Sequence, residues 1–528
     1  MNREQLSHAA GSCRCCSSAL HQAGEALIQA SLSRRALIGG LGATAIGSWM
    51  LSGGAKEANA QPAEGGKPAI MPAQELVVQP ALVYALHQRR EQTSWRPWGG
   101  LMNESDVVAE VKRIEAELRA MVAAHGLKVK LLPVAAVRTV EEARKVATGK
   151  CDTMLIYASS GSTAVLDALM SPDRPTVFFL RHNSGPVSLW YEILHPHFLR
   201  RASDEYKIKQ IDVDDVVVDE YKDLAWRLRA LAALRLTLGQ RIVAIGGAGG
   251  WGEGRKLAPP VARNTWHLDI RDVSYDELGK RIEKYRQDAE AMARAKKEAA
   301  EYLAQPGVTL KCEREAVENA FVLYHAFKEL MADHEATAMT IQHCMGTVMP
   351  ISKTTACLPL SLINDEGLLA FCESDFVVIP AGMLMHHITG LPVFLNDPTW
   401  PHHGQVTIAH CTAPRKLDGK NYEPVEIHTH FESDYGAAPK VAMKEGTLTT
   451  NVVPDFASKK WVGFTGKVIG NPFHAICRSQ TDITIEGDWH KLLEEMRGFH
   501  WMTCYGDCTR EVGYAIKKLG IEWECLSA

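Results

Sequence analysis

Apolar positions recur along this chain in two rhythms. Val107, Val111, Ile114, Leu118, Met121 and Val122 keep the spacing of one helix face. Asn103 or Ser105 opens that helix and Gly126 closes it. Val129–Val134 then reads as a strand. Thr139, with Glu142 after it, starts a helix to Thr148 through a capping box. Thr153–Tyr157, Ala164–Met170 and Thr176–Leu180 follow as strand, helix and strand. Strands alternating with helices predict a parallel sheet.

The alternation resumes at Tyr221–Leu238, a helix whose Leu224, Leu228, Leu231 and Leu234 share a stripe. Arg241–Ile245 is a strand running into the glycine-rich Gly246–Gly252. A dinucleotide loop is disfavoured there, because the spacing is not G-x-G-x-x-G and Pro259-Pro260 speaks against a following helix. Lys280–Tyr302 is a charged helix, Arg314–His334 a helix with a core stripe, and Ala338–Gly346 and Leu368–Phe371 are strands. Beyond Asp375 comes a helix closed by Gly390, then a strand over 392–395 and a turn at Asn396-Asp397-Pro398. Short strands over 406–410, 427–431, 446–453, 460–468 and 483–486 precede a closing helix at 509–519. The pattern predicts an α/β fold: two Rossmann-like α/β domains, 75–210 and 211–371, and a β-rich, barrel-like domain over 372–528.

At 528 residues the chain exceeds one core. A net charge of −4 with scattered basic residues gives no reason to expect nucleic-acid binding. Residues 1–60 read as an export signal. Ser33-Arg34-Arg35-Ala36-Leu37-Ile38 resembles a twin-arginine motif, an apolar stretch follows to about Leu51, and Ala58-Asn59-Ala60 fits a cleavage site. The expected destination is the periplasm, through the twin-arginine export machinery, and the Pro/Gly-rich 61–74 is a linker. Ten cysteines lie beyond residue 60, without the density of a disulfide scaffold. Most read as small buried residues.

Candidate chemistry centres on Cys372-Glu373-Ser374-Asp375 at a strand end. If the chain stays extended, Glu373 and Asp375 point the same way. Such a pair ligates a hard cation or divides into acid and base; equally, it caps a helix start. Trp95, Arg96 and Trp98 form an aromatic-basic loop that suits a sugar face or pins itself by packing. His410, His428, His430 and His474 are scattered over the C-terminal strands; any is within reach of a metal, though packed histidines are the commoner case.

The run from Gln342 to Pro398, ending CESDFVVIPAGMLMHHITGLPVFLNDP, resembles the L-fucose isomerase family (L-fucose/L-arabinose isomerase-like sugar isomerases). GFHWMTCYGD over Gly498–Asp507 resembles the family's C-terminal ligand segment. The resemblance implies a divalent metal on Asp375 and His500, with Gln342 touching the sugar. It implies aldose–ketose isomerisation of a small sugar through an enediol. It also implies a homo-oligomer in which the loop of Trp95, Arg96 and Trp98 serves a neighbouring site. The family's third ligand, a glutamate, is replaced here by Ala356-Cys357-Leu358. Cys357 is therefore a candidate third ligand, and Glu373 or Glu366 the candidate proton carrier beside Asp375. Mn2+ is the expected metal, or Zn2+ or Fe2+ if Cys357 ligates. An epimerase or lyase on the same fold, and a non-catalytic exported carbohydrate-binding protein, are the alternatives.

Overall fold

The computed structural model describes residues 75–96, 100–187 and 211–527. The twin arginines, the Ala60 cleavage site, the 61–74 linker and Trp98 lie outside the described residues. Among the described residues no helix is long and apolar enough to cross a membrane.

The fold is mixed α/β, with parallel sheets followed by an antiparallel barrel. In the first sheet Val129–Leu131, Leu76–Val83, Thr153–Ala158, Thr176–Leu180 and Val216–Val218 lie side by side, all parallel. Ala135–Val137 continues the edge beside Leu76–Val83. The single strand expected over 129–134 is thus two, interrupted around Pro133, which has no N–H to give a ladder. The sheet takes a strand from beyond residue 210. The helix Glu104–Ala124 begins at a capping box on Asn103, and Val140–Ala147 at one on Thr139.

A second parallel sheet orders its strands Leu369–Cys372, Ala338–Ile341, Arg241–Ile245 and Asp269–Val273. The order reverses between Arg241–Ile245 and Ala338–Ile341, and open parallel sheets form ligand crevices at the carboxyl edge of such a reversal. Ile245, Ile341 and Cys372 lie level in the register, so Gly246, Gln342 and Glu373 leave the sheet at one edge. The chain after the glycines does form a helix, Gly254–Asn264, with Pro259 and Pro260 inside it. Burial of Ala258, Pro259 and Ala262 offsets the hydrogen bonds the prolines cannot make. The charged 280–302 segment is two helices, split at Asp288, whose carboxylate caps the second. The expected strand from Ala338 stops at Ile341, as His343 turns left-handed at φ 45°.

The C-terminal region closes a six-stranded antiparallel barrel. Around it run Leu448–Val453, Trp501–Tyr505, Phe394–Pro398, Gln405–His410, Ser479–Thr484 and Lys460–Gly470, which pairs back to the first. Asn396, Asp397 and Pro398, expected as a turn, are barrel strand: Asn396 pairs with Trp501 and Asp397 with Ala409. Interleaved pairing partners, distant in sequence, hold this stretch extended against its local turn propensity.

The glycine run braces the sheet edge. Gly249 N–H donates to Ser374 O at 3.2 Å, and Phe376 N–H donates to Gly249 O at 3.2 Å. Gly246 has φ 83°, and a Cβ there would lie 2.0 Å from the Tyr275 hydroxyl, which itself holds Gln342 O at 2.9 Å. Gly126 also has positive φ but open space around it. Gly246→Ala should therefore destabilise by about 2–4 kcal/mol, strain plus overpacking, against about 1 kcal/mol for Gly126→Ala. Denaturant midpoints measure both, and equal losses would contradict the packing argument.

Candidate metal centre

Three barrel residues meet because the register requires it. Leu395 faces Met502 and Asn396 faces Trp501, so Asp397 comes opposite His500 at the strand's start. On its other side Asp397 pairs with Ala409, which brings His410 alongside. Asp397 Oδ1 lies 3.2 Å from His500 Nε2. From the sheet edge Glu373 approaches the same point, Oε2 at 3.4 Å from His500 Nε2 and Oε1 at 3.6 Å from His410 Nε2.

Glu373 arrives there by an unexpected backbone route. Glu373 and Ser374 are both left-handed, at φ 64° and 47°, so the extended geometry anticipated for the carboxylate pair does not occur. Each such residue costs roughly 1–3 kcal/mol and persists where its surroundings over-determine it. Here Ser374 donates its N–H to Thr340 Oγ1 at 3.1 Å, and its carbonyl receives Gly249.

Asp375 lies on the other side of the imidazole. Its Oδ2 accepts from His500 Nδ1 at 2.7 Å, and its Oδ1 accepts the Val377 N–H at 3.1 Å. Both Asp375 and His500 are 0% exposed. His410 repeats the device with a hydroxyl, its Nδ1 3.1 Å from Thr412 Oγ1. With Nδ1 occupied, each ring turns Nε2 inward, as metal-bound histidines held by an outer carboxylate or hydroxyl do. Asp375, expected as a ligand, is placed as the group that orients one.

The inward atoms make no well-aligned hydrogen bond. His410 Nε2, His500 Nε2 and Asp397 Oδ1 are buried, and among the described residues they meet one another and Glu373 only at ion-pair distance. Buried polar atoms so placed are costly, and their convergence could hold a metal ion. Asp397, His410 and His500 each offer a ligand atom within 4.8 Å of the others, as do Cys372, Glu373 and His410.

The charges fit this picture. Burial pulls His500 down, but hydrogen bonding to the Asp375 and Glu373 carboxylates and the charges of Asp397 and Asp375 outweigh it and lift the imidazole to about 10. Burial likewise opposes protonation of His410, and Glu373 and Asp397 overcome it. Burial pushes Glu373 up, yet the two imidazoles hold it well below the ordinary carboxylate range. For Asp397 burial wins, and its carboxyl stays above the usual value.

At the open side, Trp251 and Phe499 stack with centroids 4.7 Å apart and planes at 15°. The Trp251 indole N–H donates to Glu373 Oε2. Both rings are nearly half exposed, a flat apolar face beside the polar cluster. Sequence reasoning passed over this pair and Asp397, and left His410 among scattered histidines. An aromatic in a glycine-rich loop after a parallel strand was the available signal for Trp251.

The remaining expected residues fall elsewhere or at the margin. Gln342 sits level with Glu373 at the sheet edge, its amide against Gly249. Glu366 precedes the strand Leu369–Cys372 where Glu373 follows it, so roughly 13 Å of strand separates them. Its carboxylate is bonded by Tyr324 and Lys328, which excludes it as the proton carrier here. Cys357 is grouped with Cys411 and His430 and not with His500. Trp95 is half-buried with the Arg96 guanidinium 5.8 Å from its ring centre, and no contact among the described residues joins them to Glu373 or His500. Compared with protein-family models and with curated proteins, the sequence matches none.

A cation at this point needs Nε2 of both histidines bare, whereas without one His500 keeps its proton up to about pH 10. Binding must therefore expel protons, and affinity for Mn2+ should rise with pH through the neutral range. Calorimetric titration in buffers of different ionisation enthalpy counts the released protons. Affinity independent of pH, with no proton release, would contradict the assignment.

Proposed function

We propose that this chain is a metal-dependent sugar isomerase-like enzyme that interconverts an aldose and a ketose through an enediol. The observation that carries the reading is the convergence of His410 Nε2, His500 Nε2 and Asp397 Oδ1, buried and without a well-aligned hydrogen bond, beside a carboxylate and an exposed aromatic face. The donor set fits a divalent cation: two imidazoles and a carboxylate oxygen, with the Cys372 sulfur near His410, suit Mn2+, Fe2+ or Zn2+, and Mn2+ is the one we propose. Asp397, His410 and His500 would hold it, with Asp375 and Thr412 fixing the rings. When bound, it supplies Lewis-acid polarisation of the carbonyl and hydroxyl oxygens of an open-chain sugar.

The chain's own residues do the rest. Trp251 and Phe499 offer a face on which a sugar stacks its C–H groups, with the Trp251 N–H fixing Glu373. Glu373, one-third exposed toward that face, takes the C2 proton onto a carboxylate oxygen and returns it to C1, while the O2 hydroxyl proton passes to O1 through the enediol.

The same reading takes the two parallel sheets as Rossmann-like domains, as the resemblance to the L-fucose isomerase family implies. It assigns the loop of Trp95, Arg96 and Trp98 to a neighbouring copy's site in a homo-oligomer. It also makes the protein a periplasmic one, exported by its twin arginines.

Incubating the Mn2+-loaded protein with a panel of aldoses and ketoses in D2O should introduce deuterium at the carbon that gains the proton. Glu373→Gln should keep the cation and lose exchange by about 10²–10⁴-fold. Asp397→Asn and His410→Ala should weaken the cation itself. Metal-loaded wild type that exchanges no sugar hydrogen, or Glu373→Gln that exchanges normally, would contradict the mechanism.

A further inference from the structure

A second cluster, of different donor chemistry, lies behind His410. Cys411 follows His410 directly, just past the end of the strand Gln405–His410. His410 joins Asp397 and His500, whereas Cys411 belongs to a separate group of ligand atoms. There Cys411 meets Cys357, at the start of the helix Cys357–Asp365, and His430, at the end of the strand Val425–His430. Their three ligand atoms all lie within 4.8 Å of one another. Cys477, just before the strand Ser479–Thr484, packs on the same cluster. Cys357, Cys411 and His430 are buried.

We propose that Cys357, Cys411, Cys477 and His430 form a second, structural cation site that takes Zn2+. Three sulfurs and one imidazole are a thiophilic donor set, and with four protein donors no position is left open for substrate. The supporting groups are in place. The Arg478 N–H donates to Cys411 Sγ at 3.4 Å, and Ser433 Oγ lies 3.3 Å from His430 Nδ1. The Arg478 guanidinium bonds the Thr429 carbonyl at 2.7 Å, beside His430. The four donors come from separate elements, so a cation there would tie a helix N-terminus to three strand ends and fix the backbone that presents His410. The inference stands whether or not the first centre is catalytic.

Titrating the metal-free full chain with Co2+ tests it, because thiolate ligands give a near-ultraviolet charge-transfer band that oxygen and nitrogen donors do not. The wild type should show the band and bind one equivalent of Zn2+ more than Cys411→Ser. Cys411→Ser should lose the band, and His500→Ala should keep it. If Cys411→Ser does not fold, Cys477→Ser, at a partly exposed position, should still weaken the band and reduce Zn2+ affinity. Absence of the band in wild type would overturn the proposal, as would a band unchanged in Cys477→Ser. A band lost only in Cys372→Ser would place the sulfur at the first centre and equally overturn it.

Discussion

Asp375 and His500, neither accessible to solvent, meet at 2.7 Å across 125 positions of sequence. One stands beyond the last strand of the second parallel sheet, the other at the entry to a barrel strand, so this contact couples the two layers. Removing either partner would leave the other buried without its shortest contact, a loss of up to about 3–5 kcal/mol for a buried charged pair. The contact also decides chemistry. It commits Nδ1 of His500 and leaves Nε2 as the atom that faces Asp397 and Glu373. Without it the ring could rotate, and the inward atoms would not converge.

Around that contact, strain and packing serve placement. The left-handed Glu373-Ser374 pair stays put because Gly249 clasps it from one side and Thr340 from the other. A glycine is required at Gly246 by its φ and by the Tyr275 hydroxyl above it. The run that looked like a nucleotide loop is thus a brace for a carboxylate, carrying Trp251 as its exposed tip.

Local signals in the sequence foretold the local structure. The cap expected at Asn103 or Ser105, which falls on Asn103, the capping box at Thr139, the strands at Thr176 and Arg241, and the Gly390 stop all depend on neighbouring residues, and all appear. The resemblance singled out Asp375 and His500, which do meet, although Asp375 orients the ring from behind. Asp397 and His410 were hidden because their proximity is a property of barrel register, set by partners about a hundred residues away in one case. Glu366 misled for the reverse reason. It lies only seven residues before Glu373 in sequence, whereas the four-residue strand between them carries the chain to the other end of the sheet. Cys357 was a sound metal-ligand candidate by type, but its partners are sulfur and His430.

The two clusters differ in donors, carboxylate oxygen and imidazole nitrogen predominating toward the aromatic face, where Cys372 adds one sulfur, and sulfur predominating behind it. The central claim is that an occupant belongs between Glu373, Asp397, His410 and His500. Anomalous scattering from crystals of the protein grown with Mn2+ tests it most directly. The account predicts a manganese peak bounded by His410 Nε2, His500 Nε2 and a carboxylate oxygen of Asp397, with Asp375 still on Nδ1 of His500. A peak ligated by Asp375 with His500 turned away, or no peak at this point, would contradict it.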